Sequence, residues 1–119
     1  MSIFEVLVLL IAGHFIFDYV WQGLYLSTIK NPTNVNQDIH WSYPMFVHSF
    51  LHATAVLMIT RLPMLFFLEL VIHFSIDYAK CKKQISHGAD QTIHLVCKLV
   101  WFSIYLTTLS TWTVVISAK

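Results

Sequence analysis

Charge is scarce in this chain of 119 residues: Asp, Glu, Lys and Arg together make up 11%, and glycine and proline occur only three times each. A water-soluble chain of this size buries only roughly two thirds of its surface on folding. With 57% of residues hydrophobic and a mean hydropathy of +0.68, much of its Leu, Ile, Val and Phe would then remain wet, so an ordinary soluble domain is excluded. The formal net charge is only +1, without the clustered Lys and Arg that neutralise phosphates, which sets nucleic acid aside as a partner. Only two cysteines occur. Cys81 falls at an expected helix end and Cys97 inside an apolar run, so they read as inert thiols rather than a disulfide framework. A basic segment before the first apolar run and a small-residue cleavage site after it are both lacking, so that run is expected to stay in the bilayer.

What is present is a set of apolar stretches of membrane-crossing length, predicting an all-α, polytopic membrane protein. The expected form is a single bundle of four transmembrane helices. Span one runs from about Ile3 to Ile29, ample for a hydrocarbon core of about 30 Å at about 1.5 Å per residue. It is followed by the breaker cluster Lys30-Asn31-Pro32-Thr33-Asn34 and a loop through Gln37, Asp38 and His40. Trp41 and Tyr43 mark an interface. Span two is expected from Pro44 to about Thr60, span three from Pro63 to about Lys80, and span four from Gln91 to about Ser117. Spans two and three are short, so a re-entrant hairpin is the alternative to full crossing. Lys30, Lys80, Lys82 and Lys83, with Lys98 snorkelling to the same side, outnumber Arg61 and Lys119 opposite. The positive-inside rule then places the long loops in the cytoplasm and both termini outside a bacterial inner membrane.

The few polar residues inside these spans recur at helical spacing. His14, Asp18 and Gln22 stack on one face, as do His48 and His52, then Glu69, His73 and Asp77, and finally Asp90 and His94 beside Gln91. In spans one and three they lie in the second half, in spans two and four in the first. Alternating helix directions therefore bring them all to the cytoplasmic side, and the paired His-x-x-x-Asp motifs hint at two helical hairpins related by a rough two-fold axis. An ionised Asp at a helix centre costs about 2.5–3.5 kcal/mol even on the lenient insertion scale, so something must neutralise these carboxylates. A divalent metal does so directly: zinc, manganese or iron, as one or two ions, suits the mixed nitrogen and oxygen donors His14, Asp18, His48, His52, His73, Asp77, Asp90 and His94. Gln22, Gln91 and Glu69 are candidate orienting groups, and Lys80 a candidate holder of an anionic group. The competing reading is a set of interhelical hydrogen bonds or a proton or ion path built from the same residues. His40 and His87 are expected in solvated loops. The aromatic-rich fourth span, with Trp101, Phe102, Tyr105 and Trp112, is a candidate for self-association.

Four elements carry a resemblance to a known family: His14-Phe15-Ile16-Phe17-Asp18-Tyr19-Val20-Trp21-Gln22, the His48-x-x-x-His52 pair, His73-Phe74-Ser75-Ile76-Asp77-Tyr78-Ala79-Lys80, and Asp90-Gln91-Thr92-Ile93-His94. In these the chain resembles a family of small uncharacterised phage and bacterial membrane proteins grouped as a domain of unknown function. The resemblance implies a compact helical membrane domain and no particular activity. A looser similarity, by analogy alone, is to membrane-embedded metal-dependent hydrolases that also use His-x-x-x-Asp pairs. The expectation is a metal-dependent hydrolase acting on a lipid or other phosphate- or acyl-containing substrate, with Asp18, Asp77 and Lys80 as candidate catalytic groups. The alternatives are a non-catalytic phage-type membrane effector or ion-conducting assembly, and a domain that the metal merely holds together.

Overall fold

Each helix begins and ends where local chemistry dictates. In a computed structural model, residues 1–34 and 38–117 are described, with side chains described as far as Trp112. The expected loop position Gln37 and the terminal charge Lys119 lie outside these residues. Ser2 caps α1 (Ile3–Phe15) through a capping box: Ser2 Oγ accepts from Glu5 N at 3.2 Å, and Glu5 Oε2 accepts from Ser2 N at 2.6 Å. The helix runs on through a π-helical segment, Ile16–Trp21, and breaks at Gly23, whose φ of +61° is left-handed. A short helix, α2 (Gly23–Ile29), follows. The single helix expected from about Ile3 to Ile29 is thus two pieces, because the glycine permits a turn that an uninterrupted apolar run does not announce.

Helix α3 (Ser42–Thr60) ends at Arg61, whose left-handed φ of 60° lets its N–H donate to Leu57 O at 2.8 Å. Helix α4 (Pro63–Cys81) starts at once on a proline, which suits a position whose N–H has no helical acceptor. Helix α5 (His87–Ser117) is launched by Ser86, whose Oγ accepts from Ala89 N at 3.1 Å. His87 therefore begins a helix rather than sitting in a loop, although it stays exposed as expected, as does His40.

The fold is all-α, with five α-helices among the described residues. Three helical runs, Ile3–Trp21, Ser42–Thr60 and His87–Trp112, are long and apolar enough to cross a membrane. Helix α4, also 19 residues, is set apart from them by three charged residues, Glu69, Asp77 and Lys80. Helix α1 packs on α3 and α5, and α4 packs on the same two. Large apolar side chains such as Phe4, Val20, Leu24, Phe67 and Val71 point outward, while Lys30, Lys98, Glu69, Asp77, Asp90 and five histidines are buried. Buried polar groups beside outward apolar ones reverse the usual order of a soluble core over part of the interior, and this is how polar groups would sort in a hydrocarbon solvent.

The interior is divided along its length. At one end Val6, Leu10, Val56, Leu65 and Trp101 form an apolar core joined by Ile59, Leu62 and Ile72. At the other end lies the polar cluster. One step along each helix separates the two: Leu10 precedes His14 by four positions, Leu65 precedes Glu69 by four, and His52 precedes Val56 by four, so adjoining turns of the same faces are apolar and then polar.

Candidate metal centre

All eight predicted metal donors lie in this polar half and are buried, Asp18 being 9% exposed and the other seven 1% or less. They form three sets whose ligating atoms lie within 4.8 Å of one another: Asp18, His48, His52 and His73; His14, His73 and His94; and Asp77, Asp90 and His94. The first and third share no residue, while the second draws on both. The spacing in the sequence thus marked faces that the fold brings together.

Asp18 is carried by the π-helical segment, a local widening that often accompanies functional residues. Its two oxygens differ. Oδ2 accepts from Gln91 Nε2 at 2.8 Å, whereas Oδ1 is buried without a hydrogen bond, as is His52 Nε2. Those two atoms are 3.0 Å apart, and His48 Nε2 lies 3.2 Å from the same oxygen and 3.3 Å from His73 Nε2. A tetrahedral ion with bonds of about 2.0–2.1 Å has ligand atoms about 3.3–3.4 Å apart, so these separations match the edges of a coordination polyhedron. Asp18 Oδ1 and His52 Nε2, both without a hydrogen bond, together with His48 Nε2, which is hydrogen-bonded to His73 Nε2, make a donor set whose spacing fits a divalent cation.

Glu69 orients one of these donors. Its carboxylate accepts from the Lys98 ammonium, from Trp101 Nε1 at 2.6 Å and from His73 Nδ1 at 3.1 Å. A carboxylate only accepts, so His73 donates from Nδ1 and turns its Nε2 lone pair toward His48 and the Asp18 set. The His73 ring is stacked between those of His52 and His94, with centroids 3.8 and 4.1 Å away. Gln91 acts as a clamp: besides holding Asp18, its amide donates to Asp90 Oδ2 at 3.0 Å, and its Oε1 faces His14 Nε2 at 3.1 Å. Of the expected orienting groups, Glu69 and Gln91 make such contacts, while Gln22 Oε1 is buried without a hydrogen-bond partner.

Three lysines change the electrostatics that the sequence implied. Lys30 donates to Asp77 Oδ2, Lys98 to Glu69, and Lys80 to Asp77 Oδ1 at 3.4 Å and Asp90 Oδ2 at 3.2 Å. Lys98 does not snorkel outward: it is 1% exposed. Lys80 is a counter-charge to two carboxylates, and not an ammonium free to hold an outside anion. Trp101 is likewise turned inward, at 4% exposure, which removes it from any self-association surface on α5. With the five imidazoles neutral, as metal ligation needs, four buried carboxylates and three ammonium groups leave one net negative charge, and Asp18 is the buried carboxylate without a lysine. The two His-x-x-x-Asp pairs are therefore not equivalent. Asp18 faces imidazoles, whereas Asp77 is held by two ammonium groups.

Among the partners that sequence reasoning missed, Lys98 follows His94 by four positions and so shares its face, a signal that was available. Lys30 lies twelve residues beyond Asp18 in a breaker cluster, and nothing local marks it.

A family model described as Protein of unknown function (DUF3307) matches residues 6–119, and the chain belongs to that family. No curated protein and no solved structure matches it.

Proposed function

We propose that this member of the DUF3307 family is a membrane-embedded, divalent-metal-dependent hydrolase with a one-sided site. Asp18 Oδ1, His48, His52 and His73 would hold zinc, manganese or iron, and the substrate would be a lipid or another phosphate- or acyl-containing molecule. The observation that carries the reading is the buried set around Asp18 Oδ1: that oxygen and His52 Nε2 have no hydrogen bond, donor atoms sit 3.0–3.3 Å apart, and Asp18 is the one carboxylate of the buried cluster that no lysine neutralises among the described residues. A divalent ion there supplies Lewis acidity toward a phosphoryl or carbonyl oxygen and lowers the pKa of bound water to about 7. Asp77, 3.4 Å from His48 and 3.4 Å from His94 and kept ionised by Lys30 and Lys80, would orient those imidazoles beside that set.

The membrane arrangement that fits is a four-span bundle of Ile3–Trp21, α3, α4 and α5. Helix α4 can cross because its charged residues face the interior, and 19 residues reach about 28 Å. With Lys30 and Lys98 buried, exposed Lys82 and Lys83 against exposed Arg61 still favour a cytoplasmic site with both termini outside. The polar network reaches partial exposure at Lys80, whose side chain is 20% exposed and which donates to Asp90. The bilayer is the partner that the outward apolar surface requires.

The second reading, proton or ion conduction, is favoured by the continuity of the contacts from Glu69 through His73, His48, Asp18, Gln91 and Asp90 to Lys80. Against it stands the apolar core of Val6, Leu10, Val56 and Leu65, which fills the other half of the bundle and would block a path across. The test is turnover of mixed phospholipid vesicles, read as released phosphate and fatty acid with and without manganese or zinc. Metal-dependent release lost in His14→Ala and Asp77→Ala supports the hydrolase. Release that these substitutions leave unchanged, or flux through liposomes that needs Asp18 and Asp77 but no added metal, would sink it.

A further inference from the structure

We propose that the protein carries its own cations in its second ligand set, Asp77, Asp90 and His94, so that each chain takes one divalent ion where its donors suffice for two. The inference rests on the reading that the Asp18 set holds an ion. The two sets share no residue and are similarly buried, and ligand count alone would allow both to be filled. Their electrostatics differ. Asp77 receives the Lys30 ammonium on Oδ2 and the Lys80 ammonium on Oδ1, and Lys80 also reaches Asp90, while no lysine approaches Asp18 within salt-bridge distance among the described residues.

The break in the first span is what delivers Lys30. Were the helix unbroken from Asp18, Lys30 would lie about 18 Å further along its axis. Instead the left-handed Gly23 turns the chain, α2 runs on to Ile29, and Lys30 caps it, its N–H donating to Leu26 O at 3.1 Å, with its side chain buried against Asp77. Asp77 Oδ2, the oxygen that Lys30 holds, is also 3.4 Å from His48 Nε2, so this tethered ammonium stands next to the Asp18 set. Net charge sets the stoichiometry. One ion turns the cluster's single negative charge into a single positive one, whereas a second ion beside three ammonium groups would add two more positive charges in a medium that screens them poorly. Removing Lys30 and Lys80 together restores the balance: the cluster with two ions then carries the same formal charge as the natural one with one.

The experiment is manganese binding by the full chain in mild detergent, with bound metal per chain measured after gel filtration and manganese electron paramagnetic resonance used to tell isolated from paired ions. The expected result is one isolated manganese in the natural protein and in Lys82→Met, which removes an exposed charge, and two in Lys30→Met/Lys80→Met. If the double variant does not fold, Lys80→Met alone, which leaves Lys30 on Asp77, is expected to take a second ion at manganese at least about tenfold lower than the natural protein needs. Two ions in the natural protein, or a single ion in every folded variant across that range, would overturn the inference and leave the Asp18 site standing. No ion in the natural protein would overturn both.

Discussion

Substituting Lys98 by methionine keeps the length of the side chain and removes the charge, leaving Glu69 as a carboxylate 1% exposed with only Trp101 and His73 as donors. Breaking one partner out of a buried ion pair costs about 3–5 kcal/mol, because the remaining charge has neither water nor a counter-ion. That is a large share of a total stability of about 5–15 kcal/mol. The second substitution, Glu69→Gln, then removes the orphaned charge. The amide oxygen still accepts from one donor and leaves the other unpaired, a penalty of about 1–3 kcal/mol. Lys98→Met/Glu69→Gln is therefore expected to be about 2 kcal/mol more stable than Lys98→Met alone. Reversible unfolding in mixed micelles with rising dodecyl sulfate, followed by far-ultraviolet circular dichroism, measures all four members of the cycle. A cost below about 1 kcal/mol for Lys98→Met, or a double variant that loses the sum of the two singles, would refute the buried pair.

Gly23→Ala should cost about 1–2 kcal/mol by the same assay, since an added Cβ meets nothing within 4 Å and only the left-handed φ of +61° resists it. Ser2→Ala removes the capping box of α1 and is expected to cost about 0.5–2 kcal/mol, with faster amide exchange at Glu5 and little change elsewhere. Manganese or zinc at about a hundred times its dissociation constant should stabilise the natural protein by about 2.7 kcal/mol and leave Asp18→Ala unchanged. A shift of equal size in that variant would place the ion elsewhere.

The faces of the helices were legible in the sequence because an intramembrane His or Asp recurring every fourth residue has one economical explanation, a shared interior. His14 with Asp18, His48 with His52, and Glu69 with His73 and Asp77 each came to the inside for that reason. What compensates them was not legible to the same degree. The sequence pattern offered a metal for every carboxylate, but Lys30 and Lys98 read as loop and interface charges, since a lysine near a span end ordinarily reaches water. Only the tertiary arrangement shows each buried on a specific carboxylate. Trp101 reads as an outward aromatic on an apolar helix, and its turn inward follows from Glu69, six residues into α4, needing a donor, a contact that no local spacing encodes. Gly23 was the missed punctuation mark. Inside a run as apolar as Val20-Trp21-Gln22-Gly23-Leu24-Tyr25 it reads as part of one span, whereas its left-handed turn is the hinge that brings Lys30 back to Asp77.

The most direct test of the central claim is the metal content of protein purified without added metal and then equilibrated with manganese or zinc, compared with Asp18→Ala and His52→Ala. One tightly held ion per natural chain, lost in both variants while circular dichroism shows their helices intact, is the result expected if Asp18 Oδ1 and His52 Nε2 are left unpaired in order to coordinate. No bound ion in the natural protein, or an ion that both variants retain, would contradict the account.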